Sequence, residues 1–347
     1  MPSKEWDNLV NAFKKLGGIA ENIDIHEGEL GRGIFPQDKT HRSLIATPKN
    51  ILVKSNSLQI KGEHLKILRD SGMAQKEREF AEQYYNELSW GNEGNKDTKI
   101  FLGHFTSLPE PIKNKLEKNR FIDSKMLNYK RSDETLLERF IDERAFKFKG
   151  ESVLVPMLEL VNHSNFAPPF RVTRTGLETP PAEANGSEIL HKYSGKNSAM
   201  SLWRSYGFSA KSIVSYGIPF EITINEYSTT VRCYGQQEPE SNEIKLKNSE
   251  SGLISINSLP IGCEISTLPF STLSSILSTT EIDWETIRNL MIFIQKLNIE
   301  TRSELLKDLR GYEQNRISEL SKALKHEIQL IQTSLIATEL LRKEKSS

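Results

Sequence analysis

Three short strings in this 347-residue chain carry residue types suited to binding or group-transfer chemistry. The first, Leu30-Gly31-Arg32-Gly33-Ile34-Phe35-Pro36, sets two glycines around one arginine. Glycines so placed let backbone approach a ligand closely, but the third glycine and following helix of a dinucleotide fingerprint are missing. Standing alone, the string reads better as a hairpin or tight turn between strands. The second, Leu154 to Ser164, is an apolar run that ends in Glu159 and the pair Asn162-His163. A buried amide or imidazole left unpaired costs about 1–3 kcal/mol, so these groups need a partner in ligand or backbone. An Asn-His turn capping its own loop would meet that need as well. The third string is Tyr193-Ser194-Gly195, followed by Trp203-Arg204-Ser205-Tyr206-Gly207-Phe208. Aromatic residues at such density are usually core.

These strings need elements to hold them. Between Gly31 and Val53 the mixture of Gly, Pro and β-branched residues predicts short strands joined by turns. From Gly62 to Leu88, charged residues alternate with Leu65, Leu68, Met73, Phe80, Tyr84 and Leu88 near a helical period, which predicts an inserted helical segment. A Gly/Asn/Asp stretch from Gly91 to Asp97 predicts a break, with helix resuming over Pro111 to Arg144. Strands are expected again at Val153–Val155, Glu188–Leu190, Phe220–Ile224, Thr229–Tyr234, Glu243–Leu246 and Leu253–Ile256. Apolar positions from Leu306 to Ile336 recur at three- and four-residue spacing, so one long or two consecutive amphipathic helices are expected over Thr301–Leu341.

Composition excludes several classes of protein. Lys plus Arg and Asp plus Glu both number 46, so no global field draws the chain to nucleic acid, and no basic-aromatic stripe supports direct nucleic-acid binding. No apolar run approaches the roughly 20 residues that span a bilayer, so no membrane partner is expected. The two cysteines, Cys233 and Cys263, form no CxxC, and no secretory segment opens the chain; a reduced, cytoplasmic protein is expected. Seven scattered histidines never occur as HxxxH, and no metal is expected.

Taken in order, the GRG turn, the string P-x-x-E-x-x-N-H from Pro156 to His163, and Tyr193 followed thirteen residues later by Tyr206-Gly207-Phe208 resemble the SET-domain methyltransferases related to the Rubisco large-subunit lysine methyltransferase. Phe101 to Pro109 ends in a Leu-Pro like that family's helical insert. The resemblance implies an α+β chain: a SET-domain fold of short strands over residues 1–210, split by a helical insertion at about 60–140, then a mainly helical substrate-binding-like domain over 211–347. It also implies S-adenosylmethionine as cofactor and an unidentified protein as substrate, methylated on a lysine nitrogen. Methylation of a histidine, or a SET scaffold that only binds protein, are the alternatives.

Roles carry over by motif. Leu30, Gly31, Arg32 and Gly33 match the turn whose backbone lies along the cofactor, and Asn162 and His163 the pair that grips its two ends. Arg144 matches the arginine that meets the cofactor carboxylate, and Phe208 an aromatic beside the adenine. Tyr193, as the catalytic residue, and Tyr206 match tyrosines lining the substrate channel, and Glu159 stands where the family has Asp near the substrate. Ser194 replaces a family glycine, and Ala199 a family asparagine.

Overall fold

The amphipathic segment Lys4–Lys15 folds as a helix because Trp6, Leu9 and Phe13 recur at helical spacing and are buried together. The computed structural model describes residues 4–122, 124–127, 132–180, 186–193, 198–235, 252–310, 312 and 315–342. The chain divides into two compact units, Met1–Leu102 with Lys130–Gly195, and Gly103–Tyr129 with Lys196–Ser347. The fold class is α+β, with short strands in both units and long helices at the C-terminal end.

The first unit is built from short strands. Ile19–Glu21, Leu44–Pro48, Gly176–Glu178 and Arg171–Val172 form an antiparallel sheet in that order. Val53–Lys54, Glu151–Leu154 and Ala145–Phe148 form a second. Asp24–Gly28 and Gly31–Phe35 make a hairpin. Asn162–His163 pairs in parallel with Leu190–His191.

Two expectations for the insertion are corrected. Residues from Gly62 onward begin not as helix but as a hairpin of Leu58–Lys61 with His64–Ile67. Gly62, at φ +63°, supplies the left-handed turn, and the strand face Leu65/Ile67 is buried at period two. Helix starts at Gln75 and runs to Tyr84. The stretch Gly91–Asp97 does not break it: a π-helical segment, Tyr85–Gly94, leads directly into the helix Asn95–Thr106. The wide turn depends on Gly91, where a Cβ would lie 1.7 Å from the Asn86 carbonyl oxygen. The helix Asp133–Arg144 follows, started by Ser132, whose hydroxyl accepts from the Thr135 amide.

In the second unit the strands Phe220–Ile224, Thr229–Cys233 and Leu253–Ile256 form one sheet, and Val214–Tyr216 pairs with Pro260–Cys263. They pack on helices through Val231, Ile256, Leu273, Met291, Ile294 and Ile331. The strand expected at Glu243–Leu246 lies outside the described residues. The C-terminal amphipathic pattern forms two helices, Trp284–Asp308 and Asn315–Leu340. The first begins well before Thr301 because Asp283 caps it, accepting from the amides of Glu285 and Thr286 at 2.8 and 3.1 Å.

Candidate functional site

Gly33 is where the first two strings meet. The hairpin loop holds Leu30, which is exposed, and Gly31, whose φ of +89° suits glycine. Gly33 lies within the strand, and its bare face is covered by two side chains from far along the chain. A Cβ there would stand 2.0 Å from Glu188 Oε1 and 2.8 Å from Asn162 Nδ2. The Asn162 amide nitrogen donates to the Arg32 carbonyl at 3.1 Å and to Glu188 Oε1 at 2.6 Å. The Ile189 amide donates to the Ile34 carbonyl at 2.8 Å, so the segment carrying Glu188 runs beside the GRG strand. Burial pushes the Glu188 carboxyl upward, and the Asn162 hydrogen bond opposes it. Gly33→Ala is expected to displace both side chains and destabilise the first unit by about 1–3 kcal/mol, read as a lowered urea midpoint. Gly31→Ala, which meets no atom within 4 Å, carries only a backbone strain of about 1 kcal/mol. An unchanged midpoint for Gly33→Ala would mean that Glu188 and Asn162 yield without cost.

A second cluster gathers Arg32, Arg144 and Glu159, each partly buried. The apolar run turns sharply at Met157, whose φ of +70° and ψ of −45° is a strained conformation for a buried side chain, and a short 3₁₀ turn, Leu158–Leu160, then aims Glu159 inward. Burial pushes the Glu159 carboxyl up, and Arg144, Ser89, Tyr84 and Arg32 beside it oppose that rise. Ser89 and Tyr84 do so as hydrogen-bonding partners of the carboxylate, Arg144 and Arg32 through their charge. Arg144 ends its helix, donates to Glu143 at 2.8 Å and lies over the Phe140 ring at 4.6 Å. Burial would lower it, but Glu143 and Glu159 outweigh that and raise it. The Arg32 guanidinium donates to the Leu88 carbonyl in the π-helical segment.

His163 and Tyr193 adjoin this cluster. The Tyr193 amide donates to His163 Nδ1 at 3.1 Å, the two rings lie 4.8 Å apart, and the Tyr193 hydroxyl donates to the Val161 carbonyl at 3.4 Å. Because Nδ1 accepts, the neutral ring carries its proton on Nε2. His191 stacks on Phe170 with centroids 3.5 Å apart and faces Tyr193 at 4.7 Å. Tyr193 also bears electrostatically on Arg144. The first unit therefore brings together Arg32, Gly33, Arg144, Glu159, Asn162, His163 and Tyr193, residues spread over 160 positions of sequence.

Tyr206 and Phe208 belong to the second unit, with ring centroids 6.0 Å apart. Between them Gly207, at φ +77°, closes the helix Ala199–Tyr206, which explains the Tyr-Gly-Phe string as a helix end. Ser198 caps the other end, accepting from the Ser201 amide at 3.1 Å. Ser194 and Gly195 lie outside the described residues.

Sequence reasoning missed Glu188, Tyr84, Tyr85, Ser89 and His191 as members of these clusters. Glu188 lies in the segment expected as a strand, whereas the strand forms at Leu190–His191 and includes His191. The tyrosines sit on what reads as an ordinary amphipathic stripe. Among the described residues, no group of His, Cys, Asp and Glu is arranged to hold a metal ion.

No protein-family model matches the chain, and no curated protein matches it. Among solved structures it is similar to the SET domain of LSMT bound to lysine and AdoHcy, at TM-score 0.49 and 16% identity over 97% of this chain and 92% of that one. It is also similar to Rubisco LSMT bound to AdoMet, at TM-score 0.48 and 14% identity, and to Rubisco LSMT bound to sinefungin and monomethyllysine, at 0.48 and 16%, each over 97% of this chain and 92% of the other. These are what the chain is similar to. Its own chemistry lies in the residues of the clusters above.

Proposed function

We propose that this protein is an S-adenosylmethionine-dependent protein-lysine N-methyltransferase. The observation that carries the reading is the convergence of Gly33, Arg144, Asn162, His163 and Tyr193 in one unit, since a decayed scaffold would have no need to keep them together. The donor set fits the cofactor. Arg144 offers a charge-assisted and bidentate partner for a carboxylate, the Gly31–Gly33 strand offers backbone to lie along, and Asn162 and His163 offer polar groups beside it. When bound, the cofactor supplies an electrophilic methyl group on a sulfonium.

The chain's part is then mainly positional. In-line displacement needs nitrogen, methyl carbon and sulfur held collinear, and such orientation lowers the barrier by roughly several kcal/mol. Tyr193, its hydroxyl directed at the Val161 carbonyl, is the residue we assign to orient the target amine. Glu159 is assigned a place near the substrate. A free lysine has a pKa near 10.4, and an apolar channel disfavours its charged form, so amine deprotonation is favoured without a dedicated strong base. With both cysteines unpaired and buried, we place the protein in the cytoplasm. No described helix is long and apolar enough to cross a membrane.

Calorimetric titration with S-adenosylmethionine is the first test. Micromolar binding that Asn162→Ala abolishes is the expected result, followed by transfer of labelled methyl to lysine in protein fractions. Absence of binding by folded protein would refute the assignment.

A further inference from the structure

Phe166 is exposed at a place where the surrounding chain is firmly held. It stands three residues past His163, in the segment that joins the strand Asn162–His163 to the strand Arg171–Val172, and it is 65 % exposed. Burial of a ring of that size is strongly favourable. Single apolar residues scattered over a surface are ordinary, so exposure alone decides nothing. The backbone on both sides of Phe166, however, is fastened to the strand that leads into Tyr193. The Ser164 amide donates to the His191 carbonyl at 3.0 Å, and the Lys192 amide donates to the Pro168 carbonyl at 3.2 Å. Within the turn, the amides of Phe166 and Ala167 donate to the Ser164 hydroxyl and carbonyl at 3.2 and 3.3 Å.

Pro168 and Pro169 then lock two successive φ angles, and Phe170 lies flat on His191, which faces Tyr193 at 4.7 Å. The segment cannot turn Phe166 inward without breaking these contacts. Phe166 is thus a ring held out to solvent on a rigid mount, and aromatic anchors of that kind carry much of the energy of protein recognition, because little freedom is lost when a partner covers them. The mount also fixes where the partner lies. The His163 and Tyr193 rings are 4.8 Å apart, and three residues of chain reach at most about 11 Å. A lysine whose amine lies at Tyr193 therefore carries its own neighbours in sequence within reach of Phe166. An extended peptide advances about 3.3 Å per residue, so the side chain that meets Phe166 is within about four positions of that lysine.

We infer that Phe166 is a substrate-specificity residue, the anchor for an aliphatic or aromatic side chain that flanks the target lysine. This inference rests on the proposed lysine methylation and narrows its substrate class to lysines with an apolar neighbour, as against lysines in wholly polar or basic runs.

The test is methyl transfer from labelled S-adenosylmethionine to the proteins of a cell lysate by the full chain, by Phe166→Ser and by Phe166→Leu, with the modified lysines mapped by mass spectrometry. Lysines labelled by wild type are expected to carry an aliphatic or aromatic residue within about four positions. On the fastest of those proteins, Phe166→Ser is expected to raise KM at least ~10-fold with kcat changed less than about 2-fold, and Phe166→Leu to stay within about 3-fold of wild type. Replacing that protein's flanking apolar residue by serine is expected to cost wild type the same ~10-fold and Phe166→Ser little more, the coupling of two groups in contact. S-adenosylmethionine affinity, measured in parallel by calorimetry, is expected to be unchanged in both variants, which separates loss of the anchor from local misfolding. Labelled lysines without apolar neighbours, a wild-type KM for Phe166→Ser, additive losses in the paired replacement, or a loss of S-adenosylmethionine affinity as large as the rise in KM would each overturn the inference and leave the methyltransferase reading intact. If wild type labels no lysine, that reading falls and the inference with it.

Discussion

Glu327→Ala is expected to destabilise the second unit by about 3–5 kcal/mol, read as a lowered urea midpoint, because it strands a buried arginine. Arg302 and Glu327 are each 1 % exposed and come from the two long C-terminal helices. Arg302 Nε and Nη2 both lie 2.9 Å from Glu327 Oε2. The remaining guanidinium donors reach Asn298 Oδ1 at 2.8 Å and the Tyr216 carbonyl at 2.7 Å. The carboxylate also accepts from the Met200 amide at 2.9 Å and the Ser215 hydroxyl at 3.1 Å. One residue therefore joins two helices, the strand Val214–Tyr216 and the first turn of Ala199–Tyr206. Replacing the ion pair with Met at 302 and Leu at 327 is expected to recover most of the loss, since apolar groups of like volume need no partner. A single-variant loss under about 1 kcal/mol would mean the pair is dispensable.

That network shows why parts of the molecule are unreadable from the chain. On an amphipathic helix Glu327 reads as solvent face, and nothing local announces that Arg302 waits 25 positions earlier. The run from Val153 to Val161, by contrast, reads correctly as buried, because Val153, Leu154, Val155, Leu158 and Val161 leave no polar face. The hairpin at Leu58–Ile67 was obscured because Leu65 and Leu68 also fit a helical period; the left-handed turn at Gly62 decides between them. The π-helical turn was invisible for a related reason: Gly91 and the Asn and Asp residues after it lower helix propensity, whereas the close approach to the Asn86 carbonyl needs glycine inside a helix. In the candidate site, motif order pointed to Gly33, Arg144, Asn162 and Tyr193, which lie together in the first unit. It missed Glu188 because that residue's place depends on which strand lies beside the GRG hairpin, a tertiary choice that no short string encodes.

Acid is expected to unfold the first unit well before its surface carboxylates are neutralised, through two histidines held neutral. Burial lowers His163 to about 4 and His191 to about 3, with Lys192 and His163 respectively adding to the effect. In the unfolded chain both titrate near 6.5. Between these limits the unfolded state binds more protons, so stability is fully present above pH 6.5 and falls as pH drops toward the folded values. At about 1.4 kcal/mol per unit, the loss by pH 4 is roughly 3 kcal/mol per ring. Protonation of His163 would also fill the Nδ1 lone pair that accepts from the Tyr193 amide, and a charged His191 would sit against the apolar Phe170 ring. His191→Phe, which keeps a ring against Phe170, is expected to flatten the dependence of unfolding free energy on pH by up to about 1.4 kcal/mol per unit between pH 6 and 4. Urea titrations at pH 7, 5.5 and 4.5 measure the slope. An unchanged slope in the variant would mean that His191 takes up its proton without opening the fold, and that the ring nitrogens reach a partner when charged.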